Sequence, residues 1–361
     1  MREHLLSAEA RAAAIPLLSI CIPTFNRADL LELCLSTVLP QVLQFADEVE
    51  CVVSDNASSD RTAAVMSEYT KLYSLRYFRN EENIGIIANI TKCASELALG
   101  EFILMIGDDD TLCAGSLEKI LRLLRRPDAP DLVALNVGFL PRQERPAPAD
   151  ALAGIQATTT KCLRNAAKTG IVEFSELLEG PCADFTAMYS GILRRALWLR
   201  YFPTACADEP FTSVRTTYPN AYVIANTMPK KLAGSIADVA IMIYEIPGSE
   251  FSWAKYRALN SLIHATQLLD LYRVNGVPRQ VLKPYYLYQL KNRGNELGEL
   301  LWNPKIVGGF SRAIQFAWLL RRYPFQLVQS FLVAMNHPNA PWILSSFTRL
   351  LLRLKQLSKR N

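Results

Sequence analysis

The sequence predicts an α/β fold, a mostly parallel sheet with flanking helices, followed by an α-helical C-terminal region. Three observations carry this expectation. Through residue 137, short runs rich in β-branched and aromatic residues alternate with helix-periodic stretches. The first four of those runs each end on a polar cluster. Beyond Ile236 the chain reads as helical and aromatic, with no repeat of fixed period.

In chain order, "LLSICIPT" (17–24) is the first strand. The apolar stretch from Ala12 to Phe25 is too short to span a bilayer and is interrupted by Pro16 and Pro23, so residues 1–16 are expected to be a leader. "VECVVSD" (49–55), "LRYFRN" (75–80), "EFILMIGD" (101–108) and "DLVALNV" (131–137) follow as strands, with helices expected near 28–44, 60–73, 86–99 and 115–126. Strands buried on both faces and joined by helices make parallel sheets, whose ligands sit at the carboxyl ends of the strands. The polar clusters "PTFNR", "SDNASSD", "RNEENIG" and "GDDD" fall there. From 138 to 165 the chain is irregular, and "PRQERPAPAD" reads as a surface loop. "MYSGILRRALW" (188–198) is expected to be helical, "ADEPF" (207–211) an acidic break before another helix, and "AYVIAN" (221–226) a late strand. The expected division is 17–240 for the sheet domain, with halves 17–137 and 138–240, and 241–361 for the helical region.

Composition narrows the class. Of 361 residues, half are hydrophobic and a fifth charged, which suits a globular chain of two domains. The eight cysteines show no CxxC or CxH spacing and read as reduced thiols in a cytosol-like compartment. The net charge of +5 hides an asymmetry: nine basic residues and no acid follow Glu299, whereas 30 basic residues face 34 acids up to that point. An acidic first part without basic runs argues against a nucleic-acid partner. No GxGxxG follows any strand, which sets aside a dinucleotide dehydrogenase. "PTFNRADL" lacks the glycine expected of a sugar-phosphate nucleotidyltransferase loop.

"GDDDTL" (107–112) places three carboxylates directly after an apolar run. Like charges in a row resist burial, so water or a cation must offset them. On an extended chain alternate residues stand roughly 6.5 to 7 Å apart, which puts Asp108 and Asp110 on one side and Asp109 on the other. Hard cations such as Mg²⁺ are often held jointly by one or two carboxylates and substrate phosphates, so the pair suits a metal–diphosphate substrate. The competing reading has Asp110 or Thr111 capping the next helix and the other carboxylates solvated. In "VVSDNASSDRT" (52–62), Asp55 stands at a strand end, where it suits a hydrogen bond from a nucleobase or a ribose hydroxyl. An Asx-rich turn accounts for Asn56 to Asp60, with Asp60 or Ser59 capping the next helix.

With these residues in place, "SICIPTFNRADLLELCLSTVLPQ", "VVSDNASSDRT", "NEENIGIIANITKCASELALGEFILMIGDDD" and the later "YSGILRR" and "ADEPF" resemble the family 2 glycosyltransferases of GT-A fold. The likeness is close over 17 to about 125, thins through 235 and does not reach the tail. It implies inverting transfer of a sugar from a nucleotide-diphosphate donor to an acceptor hydroxyl, with Mg²⁺ or Mn²⁺. By the same resemblance, Pro23, Thr24, Asn26 and Arg27 belong to the loop around the nucleotide, and Asp55 is the acid that reads a uracil-type base. Asn83 and Gly85 match the loop that closes over the nucleotide, Gly85 for backbone approach. Asn89 lies one turn on, with a plain helix position as its competing reading. Asp108 and Asp110 match the DxD pair, Asp110 as the direct metal ligand, with Asp109 between them beside the donor.

Inverting transfer needs a base to take the acceptor proton. The family places an acid at the start of a helix in the acceptor half, and "ADEPF" offers Asp208 first and Glu209 second, with Asp184 in "PCADF" as the remaining candidate. Pro210 suits a first helical position, so the same acids also read as a cap. The chain departs from many relatives in having no histidine in "MPKKLAGS" (228–235), where Lys230 and Lys231 are the available cations. The resemblance further implies a saccharide or lipid-linked acceptor in bacterial surface polysaccharide or O-antigen synthesis, at the cytoplasmic face of the inner membrane. The basic tail, with Phe347, Leu350, Leu351, Leu354 and Leu357 on one helical face, reads as a membrane-interface element; packing on protein or forming a homo-oligomer is its competing reading. A catalytically inactive GT-A-like membrane-binding scaffold is the alternative to an enzyme.

Overall fold

Strand β1 (Leu18–Thr24) lies at the centre of the first half of the protein in a computed structural model that describes residues 15–140, 145–151, 168–178, 185–244, 256–303, 309–335 and 337–341. It pairs in parallel with β2 (Val49–Asp55) on one side and β4 (Phe102–Met105) on the other, and β3 (Arg76–Arg79) extends the sheet beyond β2. The β1–β2 register runs from Leu18 opposite Val49 to Thr24 opposite Asp55, so the two strands end level. Helices α1 (Ala28–Gln44), α2 (Thr62–Leu72), α3 (Ile86–Lys92) and α4 (Ser116–Leu124) make the connections, α3 running on as a wider turn over Cys93–Leu97. Leu31, Leu35, Val38, Leu39 and Val42 of α1, and Leu117, Ile120, Leu121 and Leu124 of α4, join Ile20, Ile22, Val53 and Leu104 in the core. Helix spacing on one side and strand spacing on the other thus meet in one apolar layer.

Beyond β4 the sheet becomes mixed. It continues through β8 (Gly191–Arg194), β6 (Leu132–Leu140) and β9 (Leu232–Tyr244) to β5 (Thr111–Leu112), with β7 (Gly170–Glu173) also on β9, giving nine strands among the described residues. β8 is antiparallel to both β4 and β6, β6 and β9 are parallel, and β5 and β7 run antiparallel to β9. β6 and β9 therefore point the same way as β1 and β4.

Three expectations for this half are overturned. Residues 188–198 are not one helix: a single turn at Met188–Ser190 leads into β8, and only Arg195–Leu199 is helical (α5). β8 fills the slot between β4 and β6, and a Cβ on Gly191 would stand 2.9 Å from Leu132; strand pairing at a distance overrides local helical spacing. "AYVIAN" is not a strand but the middle of helix α6 (Pro219–Thr227), with Pro219 in its first turn. Ala221, Val223, Ile224 and Ala225 are all buried, and a helix buried all round has the continuous apolar run of a buried strand. The chain past Ile236 is not yet helical, because β9 reaches Tyr244; a bulge at Ala237 and Asp238 breaks the alternation, where Asn136 donates to the Ala237 carbonyl.

The chain divides into two units, Met1–Pro210 with Tyr218–Ile246, and Phe211–Thr217 with Pro247–Asn361. The second contains helices α7 (Ala265–Val274), α8 (Arg279–Asn292), α9 (Gly294–Trp302), α10 (Gly309–Leu319) and α11 (Pro324–Ala334). Gly294 and Gly298, one turn apart on α9, let the end of α11 and the residues after it approach closely: a Cβ there would lie 2.6 Å from Val333 and 2.7 Å from His337. Among the described residues no helix is long and apolar enough to cross a membrane. The stripe from Phe347 to Leu357 lies outside the described residues.

Candidate active site at the carboxyl edge of the sheet

Because β1, β2 and β4 are parallel, their carboxyl ends bring three polar segments to one edge. After β4 the chain does not stay extended: Gly107 to Asp110 forms a turn, closed by the Asp110 N–H donating to the Gly107 carbonyl (3.1 Å) and the Gly107 N–H donating to Asp110 Oδ2 (3.0 Å). The alternation expected of an extended GDDD is therefore replaced by a cluster. A Cβ at position 107 would fall 2.6 Å from oxygens of both Asp109 and Asp110, so any other residue would displace those carboxylates. Neither Asp110 nor Thr111 caps a helix, since β5 follows directly, and Asp108 and Asp110 are buried rather than solvated.

Thr24 Oγ1 donates to Asp108 Oδ2 (2.8 Å), and Arg27 Nη1 bridges Asp108 Oδ1 (3.1 Å) and Asp109 Oδ2 (3.2 Å). Two carboxylates thus share one guanidinium, and Asp110 is close enough to feel its charge. Burial, reinforced by Asp109, pushes Asp108 up to about 6 in spite of Arg27 and Thr24. Burial and the neighbouring Asp109 also hold Asp110 well above the ordinary carboxylate range. Burial works to lower the Arg27 pKa, but attraction to Asp108 and Asp109 outweighs it and the value rises. Both values rise, which favours the charged form of Arg27 and disfavours that of Asp108, because one cation is divided between carboxylates that still repel each other.

This donor set suits a hard divalent cation. It offers carboxylate oxygens only, it carries surplus negative charge, and a guanidinium already stands among the oxygens as a cation. Among the described residues no three acidic, histidine or cysteine side chains enclose a metal by themselves.

At the end of β2, Asp55 is fully buried. Its Oδ1 accepts the Ser58 N–H (2.9 Å), its Oδ2 accepts the Tyr77 hydroxyl (2.8 Å), and Arg79 Nη1 stands 3.6 Å away. Burial and this hydrogen bond raise Tyr77 to about 12. Asn26, in the left-handed region (φ 53°), clamps the β1 loop to the β2 turn: its N–H donates to Ser58 Oγ (2.9 Å) and its Oδ1 accepts the Ser59 N–H (2.7 Å). Asp60 fastens both following helices, accepting from Ala28 N–H (2.9 Å) and Thr62 N–H (3.0 Å). Phe25, between Thr24 and Asn26, leaves its ring 40% exposed.

Asn56 donates to Asn83 Oδ1 (2.7 Å), which also accepts the Gly85 N–H (2.9 Å). Gly85 is required by its backbone, φ 89° at the start of α3; nothing lies within 4 Å of its Cβ position. Asn89 is buried and internally satisfied: it donates to the Ser54 carbonyl (2.9 Å) and accepts from Ser54 Oγ (2.7 Å) and Asn80 (3.0 Å). It holds the β2 end against α3. Pro23 is part of β1 itself.

Asp208 and Glu209 are exposed and lie in an irregular segment; the next helical turn, Val214–Thr217, does not begin at Pro210. The Ala205 N–H donates to Glu96 Oε1 (2.7 Å) and the Cys206 N–H to Thr91 Oγ1 (2.7 Å). These contacts fix the residues before Asp208 against α3 and the wider turn that follows it. Asp184 lies outside the described residues. Lys231 pairs with Asp131 (3.1 Å) at the start of β6 and β9, the sheet edge opposite the carboxylates.

One cation escaped sequence reasoning. Arg145, in the loop read as plain surface, places its guanidinium 5.9 Å from the centre of the Tyr244 ring, and its Nε is buried without a hydrogen-bond partner among the described residues. The Tyr244 hydroxyl in turn is 3.5 Å from Thr111 Oγ1, next to Asp110. The Pro-rich text around Arg145 signals a loop but not its fold-back onto β9.

Residues 19–160 match the family described as Glycosyl transferase family 2. Among similar proteins, the abequosyltransferase RfbV of Salmonella typhimurium is 37% identical over 103 residues, 28% of this chain and 30% of that protein. The GalNAc(5)-diNAcBac-PP-undecaprenol beta-1,3-glucosyltransferase of Campylobacter jejuni is 34% identical over 109 residues, 30% and 34% of the two chains. The matched part spans about a third of these relatives' length. Among solved structures, S. aureus TarS 1-349 in complex with UDP-GlcNAc overlaps 85% of this chain and 91% of that one, with TM-score 0.47 and 16% identity. The mannosyltransferase PcManGT from Pyrobaculum calidifontis in complex with GDP-Man and Mn²⁺ overlaps 89% and 86%, with TM-score 0.47 and 16% identity.

Proposed function

We propose that the protein transfers a sugar, with inversion, from a nucleotide-diphosphate donor to an acceptor hydroxyl. The observation that carries this reading is the cluster of Asp108, Asp109 and Asp110, the first two sharing Arg27, at the carboxyl edge of a parallel sheet within the residues that match the family 2 model. Asp110 and Asp108 would hold Mg²⁺ or Mn²⁺, which when bound stabilises the departing diphosphate. Asp55, Asn83 and Gly85 form the nucleoside side, where the exposed Phe25 ring offers a face for a base. Asp208 takes the acceptor proton while the acceptor oxygen bonds to the anomeric carbon and the nucleoside diphosphate leaves; Glu209 is the second candidate. Arg145, with its unpartnered N–H near Tyr244, suits an anionic group of donor or acceptor.

The acceptor is proposed to be a lipid-linked saccharide in surface polysaccharide synthesis, met at the cytoplasmic face of a membrane. Support comes from similarity to a glucosyltransferase whose name specifies a PP-undecaprenol-linked substrate and to an abequosyltransferase. The reading is tested by incubating the full chain with UDP- and GDP-sugars and Mn²⁺ and measuring nucleoside diphosphate release with and without lipid-linked acceptor. Release that depends on acceptor supports it. No release with any donor, together with no nucleotide binding, favours the inactive scaffold.

A further inference from the structure

The helical unit has a charge balance unlike the rest. From Pro247 to the C terminus, sixteen lysines and arginines face four acids. Within it, α10 buries Ala313, Phe316 and Leu319 and turns Ser311, Ile314, Gln315, Trp318 and the following Arg321 outward. Those outward positions recur every three or four residues and so share one face. On it Ile314 is 56% and Trp318 60% exposed. Arg321 lies over the Trp318 ring, 4.1 Å from its centre, and donates to the Trp318 carbonyl (2.6 Å). No acid occurs anywhere after Glu299 to oppose an anionic partner.

We propose that this outer face of α10 docks the helical unit on the surface of an anionic phospholipid bilayer. The opposite stripe of the helix already fills the core, so Ile314 and Trp318 are surplus to packing. Tryptophan and arginine at the end of an amphipathic helix match the headgroup boundary, where an indole ring sits among acyl ends and a guanidinium among phosphates. An aliphatic point such as Ile314 has no counterpart on a nucleic-acid backbone, which favours lipid over RNA. Attachment is to the surface, since no described helix is fit to span. The inference does not depend on glycosyl transfer, and donor binding serves as its independent control.

The test is co-sedimentation of the full chain with phosphatidylcholine vesicles, with and without phosphatidylglycerol, at low and high salt. Wild type should bind the anionic vesicles, less at high salt. The Ile314→Ser/Trp318→Ser variant should lose about tenfold or more of that partitioning, and Arg321→Gln should lose less and show a weaker salt dependence. Circular dichroism and the thermal shift given by nucleotide should be unchanged in both. As a second measurement, brominated lipid should quench tryptophan emission of wild type more than that of Trp318→Phe. Equal binding and equal quenching of wild type and variants would overturn the proposal, as would binding to RNA but not to vesicles. So would a dimer at working concentration that is lost in the double variant while vesicle binding is absent.

Discussion

The two edges of the central sheet carry similar numbers of charges and treat them in opposite ways. At the amino edge four acids meet four cations: Glu48 with Arg125 (2.7 Å), Glu50 with Arg76 (2.9 Å), Asp131 with Lys231 (3.1 Å) and with Arg194 (2.8 Å), and Glu101 also with Arg194. Arg125 holds Glu48 below the ordinary carboxylate range, and Lys231 with Arg194 does the same for Asp131 against the effect of burial. At the carboxyl edge Asp108 and Asp109 share Arg27 beside Asp110, and Asp108 and Asp110 are pushed up instead. Charge balanced in place serves the fold. Charge left in surplus at a buried position costs stability, which under the proposed function a ligand supplying the missing cation would offset.

The largest effect expected from breaking this contrast is on activity. Asp110→Asn should lower turnover by about a hundredfold or more while leaving the folded state as stable as wild type or more so, because a costly buried carboxylate is removed. Asp131→Asn at the other edge should do the reverse, lowering the melting temperature with turnover intact. Steady-state rates and thermal melts on the two variants check both. Next in size, Asp208→Asn should lower kcat by about a hundredfold with donor KM near normal. Asp55→Ala should instead raise donor KM by roughly tenfold, having removed ground-state contacts. A dead Glu209→Gln beside an active Asp208→Asn would move the base by one residue.

A smaller effect separates the edges by sign. Metal-free Asp108 titrates at about 6 in the folded state, above its ordinary value, so the folded state holds its proton more tightly than the unfolded one. Its destabilising contribution is present above pH 6 and disappears as pH falls towards 4, an effect of at most about 3 kcal/mol. Asp131 is shifted down, so the stability it adds is present above its unfolded value and lost as pH falls through the folded one. Unfolding free energies of Asp108→Asn and Asp131→Asn relative to wild type, followed from pH 8 down to about 2.5, should therefore change in opposite directions, the first between about pH 6 and 4 and the second below about pH 4.

The carboxyl edge was legible in the sequence because the first four strands are parallel and local: each apolar run ends where its polar cluster begins, and Thr24, Asp55 and Asp108 reach one edge through helical crossovers. What the sequence hid was geometry set by distant partners. GDDD looks extended, but a turn from Gly107 folds Asp110 back on the Gly107 N–H and leaves Asp108 and Asp109 on Arg27. Asn89, read either as a nucleotide contact or as a plain helix position, brackets Ser54 and Asn80. In the second half, β8 exists only because β4 and β6 leave a slot for it, α6 is buried too evenly to show a helical period, and β9 is broken by its bulge.

The claim that surplus carboxylate marks the working edge is tested most directly by the thermal shift of the full chain with Mn²⁺ and UDP or GDP, alone and combined, in wild type and Asp110→Asn. The account expects nucleotide and metal together to raise the wild-type melting temperature by several degrees, more than the sum of the separate shifts, because phosphate and carboxylate oxygens complete one coordination shell. In Asp110→Asn that synergy should vanish while any shift from nucleotide alone persists. Undiminished synergy in the variant, or none in wild type with either nucleotide, would contradict it.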